Sequence, residues 1–157
     1  MDDHAPRNAA RRVIIATGIA GALDIIMAST ETAFAGKPIA GMLRRVASGP
    51  VPDAMDWGAA GAALGLAVHF AIMSIMAAVF IAAYDRIAIV RSHAIPASLA
   101  YGVALWLIMY GLVLHLRFGV AFPNPDPFAL LKQLFAHVVL VGLTIGLVAR
   151  STRRTDG

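Results

Sequence analysis

The sequence predicts an all-α integral membrane protein: four transmembrane helices in a bundle, with a short amphipathic surface helix between the first and second. Three observations lead there. Of 157 residues, 59% are hydrophobic and only 14% charged, whereas ordinary soluble domains are about a quarter charged. Mean hydropathy is +0.76. The apolar residues gather in four stretches, residues 13–34, 57–84, 95–116 and 127–149, each near or above the ~20 residues that cross a bilayer as a helix.

A polar tail, residues 1–12, precedes the first span. Arg11-Arg12, the apolar run and Ala33-Phe34-Ala35 have the outline of a cleavable signal. Asp24 interrupts that run, which argues for a retained span. In the connection over residues 35–56, Ile39, Met42, Leu43 and Val46 recur at i, i+3, i+4 and i+7, while Arg44 and Arg45 fall elsewhere. That spacing predicts a short helix on the membrane surface, ended by Ala47-Ser48-Gly49-Pro50. The second span is the longest and is expected to tilt or to project into the headgroups. Pro96 stands just inside the third. Asp126-Pro127 reads as an N-cap followed by proline at the first helical position of the fourth. The connection over 120–126 is short and holds Pro123, Asn124 and Pro125, so spans three and four are expected to be antiparallel neighbours. A polar tail, residues 151–157, closes the chain. One membrane domain, residues 13–150, accounts for the rest.

The formal net charge is +4 and the pI about 10.1. The basic residues stand at the ends of the apolar runs, where they act as topology signals, so nucleic acid is not the expected partner. With the N-terminus inside, Arg7, Arg11, Arg12, Arg86, Arg91, Arg150, Arg153 and Arg154 are inside. Lys37, Arg44, Arg45, Arg117 and Lys132 are then outside. This bias favours both termini in the cytoplasm. The absence of cysteine excludes disulfides, zinc-thiolate sites, iron–sulfur clusters and c-type haem attachment. No HExxH, phosphate-binding loop or Ser-His-Asp arrangement occurs, so no enzymatic activity is assigned. The bilayer is the partner implied; a homo-oligomer or larger membrane complex stays open.

Chemistry concentrates at Asp24, His69 and His137. A charged side chain at the bilayer centre costs roughly 3 kcal/mol on insertion scales, and such residues usually face a protein interior. Asp24 is eleven residues after Val13, His69 eleven after Gly58, and His137 ten after Pro127. At 1.5 Å rise per residue each lies roughly 15–17 Å into its helix, so the three are expected to share one level. Thr17, Gly21, Asp24, Ala28 and Glu31 form one stripe. Gly61, Gly65 and His69 form another, a small-xxx-small contact leading to the histidine. Gln133, His137 and Thr144 share a third face, with Gly142 and Gly146 beside it.

Three readings follow. Two histidines at one depth can hold haem b, or a transition metal together with Asp24. The same groups can hydrogen-bond one another as structural glue between helices. A proton or ion pathway is the third, with Glu31, His115, Lys132 and Gln133 as a vestibule and Thr17 and Tyr84 on the inner side. Met73 and Met76 read as core rather than copper ligands. Trp57, Tyr84 and Tyr101 suit an interfacial aromatic belt.

Several short motifs together carry a resemblance. They are Gly18-Ile-Ala-Gly-Ala-Leu-Asp24, Ala47-Ser48-Gly49, Leu64-Gly-Leu-Ala-Val-His69-Phe70, Tyr84, Tyr101-Gly102, and His137 with Val141-Gly142-Leu143. On these the chain resembles a widespread group of small bacterial inner-membrane proteins with four predicted helices, distantly like the YagU-type proteins, over most of residues 17–150. The resemblance implies a four-helix membrane protein with Asp24, His69 and His137 as recurring polar positions, and no established activity. The chain departs from the pattern at Leu114-His115-Leu116, where a proline is expected, and at residues 50–56, which are more proline-rich and acidic. His115 is therefore set apart from any shared site.

Overall fold

The computed structural model describes residues 4–151, with side chains from residue 8 onward. The side chains of His4 and Arg7 and the tail carrying Arg153 and Arg154 lie outside the described residues. Among the described residues six helices follow one another: α1 (His4–Phe34), α2 (Ile39–Ala47), α3 (Gly58–Arg86), α4 (Ala88–Ser92), α5 (Ala94–Phe118) and α6 (Pro127–Ser151). A 3-10 turn, Pro52–Asp56, precedes α3. Four of these helices, α1, α3, α5 and α6, are long and apolar enough to cross a membrane. The 29 residues of α3 reach about 43 Å at 1.5 Å each, beyond a ~30 Å hydrocarbon core.

Helix ends follow their punctuation. After α1, Gly36 takes a φ of +67°, and the amides of Gly36 and Lys37 bond back to Ala33 and Thr32. That left-handed stop suits glycine. At the start of α6 the Asp126 carboxylate accepts from the Phe128 amide at 3.0 Å, with Pro127 at the first helical position. The expected cap is thus in place. At its other end α1 begins upstream of residue 13, and residues 8–12 continue the helix.

The reason is a clasp. Arg12, buried on α1, donates from both terminal nitrogens to the Asp85 carboxylate at the end of α3, one bond being 2.9 Å. Its Nη1 also reaches the Ala149 carbonyl of α6 at 3.5 Å, and Arg91 of α4 donates to the Asp85 carbonyl at 3.2 Å. The sequence presents Arg12 as a topology signal; the structure uses it to join three helices.

Close approaches depend on missing side chains. A Cβ on Gly102 of α5 would sit 2.6 Å from the His137 carbonyl of α6, and one on Gly142 would sit 2.6 Å from the Ser98 carbonyl. Thus α5 and α6 pack backbone to backbone, as the short connection predicts. Gly61 and Gly65 have a different partner from the one expected. Their missing Cβ positions are taken by the Ala54 and Leu43 carbonyls of the connection, so this seam docks α2 and the 3-10 turn rather than another span. Ala47 and Ala54 are fully buried there.

The chain direction defines two ends, named here for α1 residues. The Arg12 end holds Asp85 and Ala149. The Glu31 end holds Lys132 of α6 and the α2–α5 junction. Between them, toward Arg12, lies an apolar core of Ala16, Ala20, Ala77, Phe80, Ile81, Val141 and Ile145, each 3% exposed or less.

Candidate functional site

Gly21 lets α3 lie close to α1, because a Cβ there would meet the Phe70 ring at 2.7 Å. His69 exploits the approach: its Nε2 is 3.0 Å from the Gly21 carbonyl. A carbonyl only accepts, so Nε2 carries the hydrogen and Nδ1 is the remaining nitrogen. That Nδ1 stands 3.9 Å from Asp24 Oδ2, beyond hydrogen-bond length but within ion-pair reach. The two side chains are only 9% and 18% exposed.

His137 is placed by α6. Its Nδ1 donates to the Gln133 carbonyl one turn earlier, at 3.2 Å, which leaves Nε2 for other partners. Tyr110 of α5 packs edge-on against its ring, with centroids 5.5 Å apart. Both residues lie in π-helical segments, Leu107–Leu114 and Ala136–Leu143. Such segments are rare and frequently occur at functional sites.

Asp24, His69 and His137 line one cavity of about 220 Å³, room for roughly seven waters at ~30 Å³ each. Glu31, Lys132 and Gln133 line it toward the Glu31 end. There Lys132 Nζ and Glu31 Oε1 are 3.1 Å apart on side chains 36% and 40% exposed, which marks the mouth. None of the residues lining the cavity lies at the Arg12 end, and the buried apolar core lies between. Thr17, expected to continue a polar path, has its hydroxyl buried with no hydrogen-bond partner among the described residues, and Tyr84 packs in the apolar core.

Other expected members fall differently. His115 does not line the cavity; it is exposed, with Nδ1 donating to the Val120 carbonyl at 2.9 Å. Thr144 is also absent from the lining. The π segment spreads more residues over each turn, so a face counted at α-helical period does not carry through it. Gln133 does line the cavity and accepts a long bond, 3.5 Å, from Trp106 Nε1. The metal set of Asp24, His69 and His137 finds no support in the structure. Among the described residues no three His, Asp or Glu side chains gather closely enough to hold a metal ion. Each histidine gives one N–H to a backbone carbonyl, and His69 Nδ1 stands 3.9 Å from Asp24 Oδ2.

Two contributors escape sequence reasoning. Met27, Met42, Met73, Met76 and Met109 all line the cavity, five of the seven methionines in the chain, and make its apolar wall flexible and polarizable. Met42 and Val46 come from α2, so the connector is part of the site. No family model, curated protein or solved structure matches this chain.

Proposed function

We propose that this chain is a multi-pass protein of the bacterial cytoplasmic membrane, with both termini in the cytoplasm and four spans bundled around a site for a small polar solute. The solute enters from the outer, Glu31 side. One observation carries the reading: Asp24, His69 and His137 line a single cavity with an ion pair among its lining residues and a buried apolar core beyond it. Helix-tying residues turn their polar atoms on one another. Here the Asp24 side chain takes no hydrogen bond among the described residues, His69 Nδ1 stands 3.9 Å from it, and His137 keeps Nε2 for a further partner. Such groups suit a solute that both donates and accepts hydrogen bonds, and the facing Asp24 and His69 can exchange a proton with it. The methionine wall adapts to its apolar part. The apolar core beyond the cavity disfavours conduction across the whole bilayer.

A structural role is the second reading, favoured by the His69 bond to Gly21, which ties α3 to α1. Ligation of a metal ion by three side chains is less favoured, because no three-ligand cluster forms among the described residues.

The absence of cysteine makes a clean test available. Ala28 and Ala136 line the cavity, whereas Ala77 is fully buried in the core. A membrane-impermeant thiol reagent applied from outside should label Ala28→Cys and Ala136→Cys well before Ala77→Cys. Applied from the cytoplasmic side, it should label none of them. Equal rates at all three positions would falsify the one-sided cavity. If Asp24→Asn and His137→Gln lower thermal stability but leave a cationic reagent's rate at Ala136→Cys unchanged, the structural role stands instead. Stoichiometric metal or a Soret band in purified protein, lost in His69→Ala, would replace both readings by ligation.

A further inference from the structure

The Glu31 end carries a second feature, outside the cavity. Arg117, near the end of α5, fixes the end of α2: Nη2 donates to the Ser48 carbonyl at 2.9 Å and Nε to the Gly49 carbonyl at 3.3 Å. Arg45 of α2 reaches the same place. The Arg45 and Arg117 guanidinium carbons lie 5.3 and 5.4 Å from the centroid of the Phe118 ring. Among the described residues neither arginine has a carboxylate within ion-pair distance. Both are exposed. Two guanidinium groups are thus held around one aromatic ring with their charge unneutralised.

Toward mid-membrane from Arg117 runs an apolar groove of about 560 Å³ between the end of α2 and α5, walled by Val46, Ile72, Leu112, Val113 and Leu116. Leu112 is 54% exposed and Leu116 72%, so the groove faces the surrounding lipid. Its head is cationic and its body apolar, which is the complement of an anionic amphiphile.

We propose that this groove binds one anionic phospholipid, with its phosphate between Arg45 and Arg117 and an acyl chain along Leu112, Val113 and Ile72. Guanidinium groups match phosphate oxygens in charge and geometry. A zwitterionic lipid brings its own ammonium toward the same arginines and gains less. The bound chain also lies against the cavity, because Val46, Ile72, Met109 and Leu114 line both the groove and the cavity. The lipid therefore backs one wall of the polar site, although its binding does not depend on what that site holds.

Native mass spectrometry of the full chain, released from micelles holding equal phosphatidylglycerol and phosphatidylcholine, tests this. Each arginine near an anionic headgroup is worth roughly a fivefold preference. The wild-type protein should keep one phosphatidylglycerol over phosphatidylcholine by about twenty-fivefold, and R45Q by about fivefold. The double variant R45Q/R117Q should show none. R45Q leaves the Arg117 bonds to Ser48 and Gly49 untouched, so its effect is not one of misfolding. Val113→Trp, which fills the groove while keeping both arginines, should lower retention of either lipid. Parity in the wild type, or a preference that survives the double variant, overturns the proposal. Full retention in Val113→Trp, or displacement of the lipid by millimolar inorganic phosphate alone, overturns it equally.

Discussion

Replacing Asp85 by asparagine keeps its volume and removes one charge from the clasp at the Arg12 end. Arg12 is 7% exposed in its side chain and Asp85 28%. Removing one partner from a fully buried pair costs about 3–5 kcal/mol, because the other charge stays buried and alone. Two features reduce that figure here. Asp85 is partly solvated, which screens the pair, and Arg12 keeps its bonds to the Asn8 and Ala149 carbonyls. The expected loss is therefore about 2–3 kcal/mol, a factor of roughly 30–150 in the folding equilibrium. Unfolding in mixed micelles by increasing anionic detergent measures it. The double variant Arg12→Gln/Asp85→Asn should recover part of the loss, and the double-mutant cycle should give a coupling above about 1 kcal/mol. A loss below about 0.5 kcal/mol for Asp85→Asn, or strictly additive single variants, would show that the pair does not hold these helices.

Three contrasting outcomes are expected from the same assay. Glu31→Gln at the exposed mouth pair should change stability by less than about 1 kcal/mol. His69→Phe should cost about 1 kcal/mol, the worth of one interhelical hydrogen bond in a membrane; no loss would mean the Gly21 bond is replaced by water. Gly65→Val should cost about 1–3 kcal/mol by overpacking, since the Leu43 carbonyl occupies the space of its Cβ. It should also raise thiol labelling at Met42→Cys as α2 lifts away, and unchanged labelling would count against the docked seam.

The four long apolar helices were legible because length and hydropathy alone define them, and the cap at Asp126 because its chemistry is local. The depth of Asp24, His69 and His137 was countable for the same reason: rise per residue is nearly constant along a helix. Facing was less legible. Gly61 and Gly65 do mark a close approach, but a glycine pair does not name its partner, and here the partner is a connector carbonyl. Thr144 drops out because π turns change the angular step between it and His137. Arg12 looked like a topology signal because its partner, Asp85, is 73 residues away, and no local pattern joins them. Tyr110 and the five cavity methionines carry no motif; only the assembled cavity gives them a common role.

The apolar core between the cavity and the Arg12 clasp has an electrical consequence. In the proposed arrangement, water in the cavity would be continuous with one compartment, so the membrane potential would fall mainly across the apolar core. Carrying one charge through the full field at 100 mV involves about 2.3 kcal/mol. An ion or proton that reaches Asp24 from the Glu31 side traverses only a small part of that field. Occupancy of the cavity should then follow the composition of the solution at the Glu31 end and respond weakly to voltage.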